Sequence, residues 1–301
     1  MTVPHTLLML RPNNFGFNKQ TKFSNPFQNN INEDENVLKS IAQKEFDSMV
    51  ETLKSHNINV KVFMDSEIPL PDSVFMNNWV SIFPDGKLVI YPMFTEIRRK
   101  ERRSKIIDEI VEKFDITELI DLTHFENDNL FLEGTGSCVF DHKNKLAFAC
   151  KSPRTSEDVF NELCNKIGYQ GFFFNAVDLS GKPIYHTNVM MSIFEKQVVI
   201  CADSIENNLE KNIILTALKN TGKEIIYLSF NQLNDYTANC FEVKDENGNS
   251  KIIISRTAFS SLTESQLIKI RAHSEIIPVN ISIIERVGGG SARCMLTGVN
   301  C

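Results

Sequence analysis

The chain has 301 residues, 42% of them hydrophobic, so it can bury a large core as one large domain or two smaller ones. A net charge of −6 and a pI of about 5.6 argue against nucleic acid or an anionic membrane as the main partner. No apolar stretch reaches the length of a membrane span, and the opening Met1-Thr-Val-Pro-His lacks the basic and apolar regions of a signal peptide.

His5 to Leu10 reads as a buried strand ended by Arg11-Pro12. Residues 13 to 32 are polar and Asn-rich, with Phe15, Phe17, Phe23 and Phe27 as aromatic anchors of a long loop; loops of that length inside a compact domain usually carry function. Glu33 to His56 has helical spacing, with Val37, Leu38, Ile41, Met49, Val50 and Leu53 on one face, and a short strand follows at Val60 to Phe63.

From there one pattern recurs. Trp79–Phe83 and Leu88–Tyr91 form a hairpin across Pro84-Asp85-Gly86-Lys87, and Arg99 to Phe114 is an amphipathic helix. The basic run Arg98-Arg99-Lys100-Glu101-Arg102-Arg103 reads for the most part as its solvated start. Further hairpins centre on His142 to Lys145, on Glu195-Lys196 and on Glu246 to Ser250. Each is followed by a helix, around Val159 to Ile167, Leu209 to Leu218 and Thr263 to Ala272. A strand closes each unit: Ile116–Ile120, Phe172–Val177, Glu224–Leu228 and Ile276–Ile281. The hairpin tips at Lys87, Lys145, Gln197 and Lys251 recur roughly every 50 to 60 residues, close to the range of blades or stacked units. A fifth copy would be split, its hairpin made from Cys294–Asn300 and His5–Leu10. Pairing the chain ends in this way would close a ring and remove exposed sheet edges.

Gly288, Gly289 and Gly290 add no packing to a helix or strand and suit a backbone that turns tightly against a neighbour; Cys294 follows just past them. The chemistry falls just before the first strand of a hairpin. Asn77-Asn78 stands there in the first unit, Leu132-Glu133-Gly134-Thr135-Gly136 in the second, His186-Thr187-Asn188 in the third and Cys294 in the split one. If the units share an axis, a thiol, an imidazole, a carboxylate and amides meet at one end of it. Singly, His186, Glu133 and Asn188 are equally well turn or surface residues. Seven scattered cysteines without a C-x-x-C pair suit a reducing, cytoplasmic setting without disulfides, and six histidines in no ligand spacing predict no metal. The glycine loop lacks the Gly-Lys-Ser/Thr of a P-loop, and no cofactor is expected.

L-E-G-T-G at Leu132, H-T-N at His186, F-M-N-N-W at Phe75 and a late cysteine behind a glycine loop resemble the pentein superfamily of arginine deiminases, amidinotransferases and dimethylarginine hydrolases. The R-P-N-N-F-G-F-N opening and S-P-R-T at Ser152 are most similar to its citrulline ureidase branch. The resemblance covers nearly the whole chain. It implies a single catalytic domain over residues 1–301, an α/β propeller of five blades with pseudo-fivefold symmetry, and a Cys-His-Glu centre: Cys294 as nucleophile, His186 as acid/base and Glu133 as carboxylate. Arg154 matches the position that binds the substrate carboxylate, with Arg98 as a second candidate. Relatives acting on guanidinium groups commonly carry aspartates where this chain has Asn78 and Asn188, and an acid where it has Gly136. Two carboxylates suit a cation that is all donors, whereas neutral amides suit a ureido group with a carbonyl oxygen.

The expected reaction is hydrolysis of citrulline to ornithine, ammonia and carbon dioxide through an S-linked intermediate. A free thiol is mostly protonated at neutral pH, so attack would need His186 as imidazolium, or bound substrate. Arg293, beside the nucleophile, would add positive potential, and Phe15-Gly16-Phe17 is a candidate lid. Arginine deiminase or dimethylarginine-type chemistry on the same scaffold is the competing enzyme reading. An inactive propeller that binds partners is the non-enzyme one, against which the presence of both Cys294 and His186 speaks. The expected partner is a small-molecule substrate, with a homodimer possible.

Overall fold

The computed structural model describes residues 2–300; Cys301, the seventh cysteine, lies outside them. The described residues hold five three-stranded sheets of one plan. The middle strands are β1 (Thr6–Arg11), β4 (Lys87–Ile90), β7 (Leu146–Cys150), β10 (Gln197–Ile200) and β13 (Ser250–Ser255). Each pairs antiparallel with a first strand: β15 (Thr297–Val299), β3 (Val80–Ile82), β6 (Cys138–Asp141), β9 (Met191–Ile193) and β12 (Phe241–Lys244), respectively. Each also pairs parallel with a third strand: β2 (Asn59–Met64), β5 (Glu118–Asp121), β8 (Gln170–Phe174), β11 (Glu224–Tyr227) and β14 (Glu275–Val279). The parallel step needs a crossover, and a helix supplies it every time: Glu35–Ser55, Ser104–Lys113, Glu157–Ile167, Asn208–Asn220 and Glu264–Arg271.

The split unit forms as its hydrophobic pattern predicts. β15 runs antiparallel to β1, with Leu7 opposite Gly298, so the two chain ends share one sheet. The middle strands are continuous apolar runs because both of their faces are covered. In β1, Leu7 and Met9 join a core cluster with Ile253 of β13, while Leu8 and Leu10 join another with Leu88 and Ile90 of β4. Val89 packs with Ala147 and Ala149 of β7, whose other face carries Phe148 into the cluster of Val198, Ile200, Ile252 and Ile254. Each middle strand thus seals the space on both sides of its sheet. The third strands are half exposed, as Glu118, Gln170 and Glu224 show.

Helix ends follow local chemistry. Asp34 caps the first long helix through the backbone N–H groups of Asn36 and Val37, and Thr263 forms a reciprocal cap with Gln266. The predicted helix from Arg99 to Phe114 divides into Glu96–Arg99 and Ser104–Lys113. The break lies within the basic run, whose Arg98 and Glu101 turn inward and are 2% and 1% exposed. The expected solvated start is corrected at these two residues, because Arg98 donates from Nε and Nη2 to both oxygens of Glu101, at 2.9 and 3.0 Å.

Candidate active site

All five units deliver polar side chains to one place from the short segment that precedes the first strand of each hairpin. Cys294 sits in the turn Ala292–Met295 ahead of β15, and Asn78 in Met76–Asn78 ahead of β3. Glu133 immediately precedes Gly134–Ser137 ahead of β6, and His186 immediately precedes Thr187–Val189 ahead of β9. His186, Asn78 and Cys294 line one small cavity, together with Arg98, Arg154 and the glycine loop. Asn188 and Glu133 reach its members by hydrogen bonds.

His186 Nε2 lies 2.9 Å from Glu133 Oε2, with both side chains sealed from solvent. Burial works against the Glu133 carboxylate, but Arg154, His186 and Arg98 hold it well below the usual range. Its other oxygen accepts the backbone N–H of Phe94 at 3.1 Å. An ionised acceptor requires the proton on Nε2 of His186, which leaves Nδ1 as the acceptor of the ring. Burial pushes His186 down to about 4, outweighing the pull of Glu133, with Arg154 and Arg98 adding to the effect. Of the two routes to a thiolate that the sequence left open, the imidazolium is therefore disfavoured in the free site. The ring stands as a neutral base.

The Cys294 sulfur has two amide neighbours, Asn188 Nδ2 at 3.5 Å and Asn239 Nδ2 at 3.3 Å. Asn239 was not foreseen. It belongs to the fourth unit, just ahead of β12, at the position that supplied candidates in every other unit. The signal was therefore present, but flanking Ala238 and Cys240 gave it no motif. Its orientation is fixed: Oδ1 accepts the Arg293 backbone N–H at 3.0 Å, and Nδ2 donates to Asn188 O at 3.1 Å.

Both arginine candidates are buried at the cavity. Arg98 Nη1 donates to Asn78 Oδ1 at 2.8 Å and lies 3.6 Å from Glu133. Burial opposes its charge, yet Glu101, Glu133 and Asp72 raise its pKa. Glu101 is pushed up to about 7 by burial, against the pull of Arg98. Arg154 Nη1 donates to Glu133 Oε2 at 3.2 Å, Nη2 to the Ser24 hydroxyl at 2.8 Å, and its guanidinium lies over the Tyr185 ring. Asp72, also not foreseen, accepts from Asn18 at 2.7 Å, and burial raises its pKa.

Glycines give these groups room. Gly134 has φ +48°, and a Cβ there would stand 2.3 Å from Asn77 O. A Cβ on Gly136 would stand 2.6 Å from Asn78 Nδ2 and 2.7 Å from His186 Nδ1, so no acid can replace it without displacing both. Gly288 and Gly290 lie flat against the Phe75 ring, where a Cβ would come within 2.7 and 2.9 Å. Phe15 is buried beside Gly288 and does not line the cavity. The long loop is held by amides as well as aromatics. Asn25 and Gln28 donate to Gly289 O and Gly288 O, both at 3.1 Å, whereas Phe23 is 94% exposed and anchors nothing.

No group of histidine, cysteine and carboxylate side chains among the described residues could hold a metal, and none of their helices is long and apolar enough to cross a membrane. Residues 11–301 match the family model described as N,N dimethylarginine dimethylhydrolase, eukaryotic. No curated protein matches the chain by sequence. Among solved structures, ArgZ, an arginine dihydrolase from the ornithine–ammonia cycle in cyanobacteria, is similar over 98% of this chain at TM-score 0.76 and 15% identity. The chain spans 40% of that protein's length. The N-terminal domain of ArgZ, solved with substrate, is similar over 98% of both chains at TM-score 0.75 and 15% identity. A dimethylarginine dimethylaminohydrolase adduct gives TM-score 0.67 over 99% of this chain and 100% of its own, at 15% identity. At these identities the likeness shows the fold.

Proposed function

The chain belongs to the N,N-dimethylarginine dimethylhydrolase family, within the pentein superfamily, and we propose that it hydrolyses the ureido group of citrulline to ornithine, ammonia and carbon dioxide. In this reading the five sheets are the blades of a closed propeller, with Cys294, His186 and Glu133 near its axis. The setting is cytoplasmic, in keeping with six described cysteines that are all unpaired.

The observation that carries the substrate class is the charge around the sulfur. The polar side chains in contact with Cys294 are two neutral amides, Asn188 and Asn239, and Asn78 is neutral as well. Asp72, which lines the cavity, and Glu133 and Glu101 each lie within ion-pair distance of an arginine. A guanidinium placed at Cys294 would lose water without meeting a free counter-charge, whereas a neutral ureido group finds amide donors for its carbonyl oxygen.

The neutral His186 ring accepts the thiol proton at Nδ1 as Cys294 attacks the ureido carbon, and ionised Glu133 stabilises the resulting imidazolium. The carbonyl oxygen takes up the negative charge within reach of an amide N–H. One such donor is typically worth roughly 10²–10³ in rate. The imidazolium returns its proton to a leaving nitrogen, and one C–N bond breaks to leave a carbonyl group on sulfur. The ring then takes a proton from water, which displaces the sulfur and regenerates the thiol. If ammonia leaves first, the carbamate of ornithine is released; if ornithine leaves first, carbamate itself. Either decomposes to the same products. Arg154 holds the substrate carboxylate by exchanging its Ser24 contact for a bidentate pair, and Arg98 orients Asn78. Phe15 supports the glycine loop from behind.

Product analysis of purified protein tests this reading. Citrulline should give ornithine and ammonia in equal amounts. Turnover of arginine or dimethylarginine alone would support the second reading, which draws on the family and on the arginine dihydrolase fold neighbours. Asn78→Asp and Asn188→Asp should each lower citrulline hydrolysis; unchanged substrate preference in both would count against the amide argument.

A further inference from the structure

Arg293 and Cys294 are neighbours that face different cavities. Cys294 lines the small cavity described above. Arg293 lines a separate cavity that shares no lining residue with it and is bordered by all five first strands. From the structure we infer that this second cavity binds a small carboxylate or similar planar oxyanion on Arg293, and that binding there lowers the reactivity of Cys294. The inference concerns a site other than the one proposed to hold citrulline.

Of the cations that border the cavity, Lys143 is an exposed lysine on a hairpin turn, Lys223 is paired, and Arg293 presents a fixed guanidinium. Three carboxylates border it, and each has partners within the protein. Asp141 pairs with Lys223 at 3.4 Å and accepts from Asn144, Glu195 pairs with Lys244 at 2.9 Å, and Glu242 accepts from the Glu195 backbone and Ser250. Lys223 is likewise spent on Asp141 and on the carbonyls of Phe194 and Glu195. Arg293 pairs with no carboxylate among the described residues. Its Nη1 donates to Leu296 O at 2.7 Å, and its guanidinium stacks 4.5 Å from the Phe241 ring centroid. These two contacts fix the plane and consume one edge of the fork. Nε and Nη2 make no hydrogen bond among the described residues and are not among their sealed, unpartnered polar atoms. They form the side-on edge that matches the two oxygens of a carboxylate. Burial lowers Arg293 to about 10, which leaves it cationic at neutral pH.

Two links couple this cavity to the sulfur. Asn188 borders it and places Nδ2 3.5 Å from Cys294 Sγ. The Arg293 backbone N–H holds Asn239, whose Nδ2 is 3.3 Å from the same atom. An anion on the fork would offset a positive charge that interacts with the Cys294 thiol and so disfavour negative charge on sulfur.

The test uses acetate as probe, at ionic strength held constant with sodium chloride, and reads calorimetric binding together with the rate of Cys294 alkylation by iodoacetamide, located by mass spectrometry. Neither readout depends on which substrate is turned over. Wild-type protein should bind acetate saturably and its alkylation should slow several-fold. Arg293→Lys should bind more weakly, and Arg293→Gln should not bind and should alkylate at a rate indifferent to acetate. Phe241→Leu, which removes the stacking platform, should also weaken binding and serves if Arg293→Gln does not fold. Absence of saturable binding in wild type, equal binding by Arg293→Gln, or, where that variant does not fold, equal binding by Phe241→Leu would overturn the site. Binding without any change in alkylation would overturn the coupling.

Discussion

Asn239 is locked in the one orientation that points an N–H at the Cys294 sulfur. The Arg293 backbone can only donate to its Oδ1 and the Asn188 carbonyl can only accept from its Nδ2, so the amide cannot turn over without breaking both contacts. The N–H at 3.3 Å is then a preorganised donor to charge on sulfur.

Asn239→Ala is therefore expected to lower kcat/KM by roughly 10²-fold, in the range of other fixed donors to a developing charge. It also takes the amide donor from the buried Asn188 carbonyl, at about 1–3 kcal/mol, while the Arg293 N–H keeps the Asn239 backbone carbonyl. Asn239→Asp keeps the shape but sets a carboxylate beside the sulfur, so alkylation of Cys294 should slow further than in the alanine variant. Equal alkylation rates in both variants and wild type would remove Asn239 from the chemistry.

Gly136→Ala tests the space between Asn78 and His186. A Cβ would come within 2.6 and 2.7 Å of their side-chain nitrogens, closer than such atoms approach. Because the two side chains can shift, the expected result is a loss of turnover of ~10²-fold from misplaced groups, with a smaller loss of stability. Steady-state kinetics beside a urea melt separates the two; near-wild-type kcat/KM would show that neither side chain needs its position.

The repeat was legible because it is written in local signals: turn residues between apolar runs, helix spacing after each hairpin, and a period that leaves one unit to be shared by the chain ends. Most of the centre followed from asking what precedes each first strand, which brought Cys294, His186, Glu133 and Asn78 to one place. What failed to show was long-range or unaccompanied by a motif. Asn239 sits between two unremarkable residues. Asp72 meets Asn18 and Arg98 only after distant segments pack. Arg98 was named as a candidate cation, but its buried pairing with Glu101 was not foreseen. A run of basic residues looks solvated, and nothing in helical spacing tells that Glu101, three residues on, marks an inward-facing pair.

Arg98 and Glu101 are 2% and 1% exposed, which sets the size of their effect. Removing the arginine leaves Glu101 buried without an ion-pair partner among the described residues and weakens the support of Asp72, which then keeps only the influence of Arg154, whereas removing a surface arginine costs little. Arg98→Ala is expected to destabilise by about 3–5 kcal/mol, read from the midpoint of urea unfolding. Arg99→Ala, a neighbour that is 27% exposed in its side chain, is expected to cost under about 1 kcal/mol. Similar midpoints for the two variants would return Arg98 to the solvated helix start.

The pH profile reports on His186. Burial holds the ring's pKa at about 4, against an ordinary 6.5, so the sign is that of a base kept neutral: protonation is resisted until the medium is well below the usual histidine range. The neutral ring must take the thiol proton, so activity requires pH above the folded-state value and falls as pH drops through it. The acid limb of kcat/KM, which reports the free enzyme, is thus expected near 4, with little change between pH 5 and 6.5. Glu133→Gln removes the carboxylate that pulls the pKa up and that stabilises the imidazolium in the reaction. It should lower kcat/KM by roughly 10²–10⁴-fold, with no movement of the limb toward 6.5. A wild-type limb at 6.5, with the protein folded throughout by circular dichroism, would mean that solvent reaches the ring in the working enzyme and that the sealed His186–Glu133 pair is not its resting state.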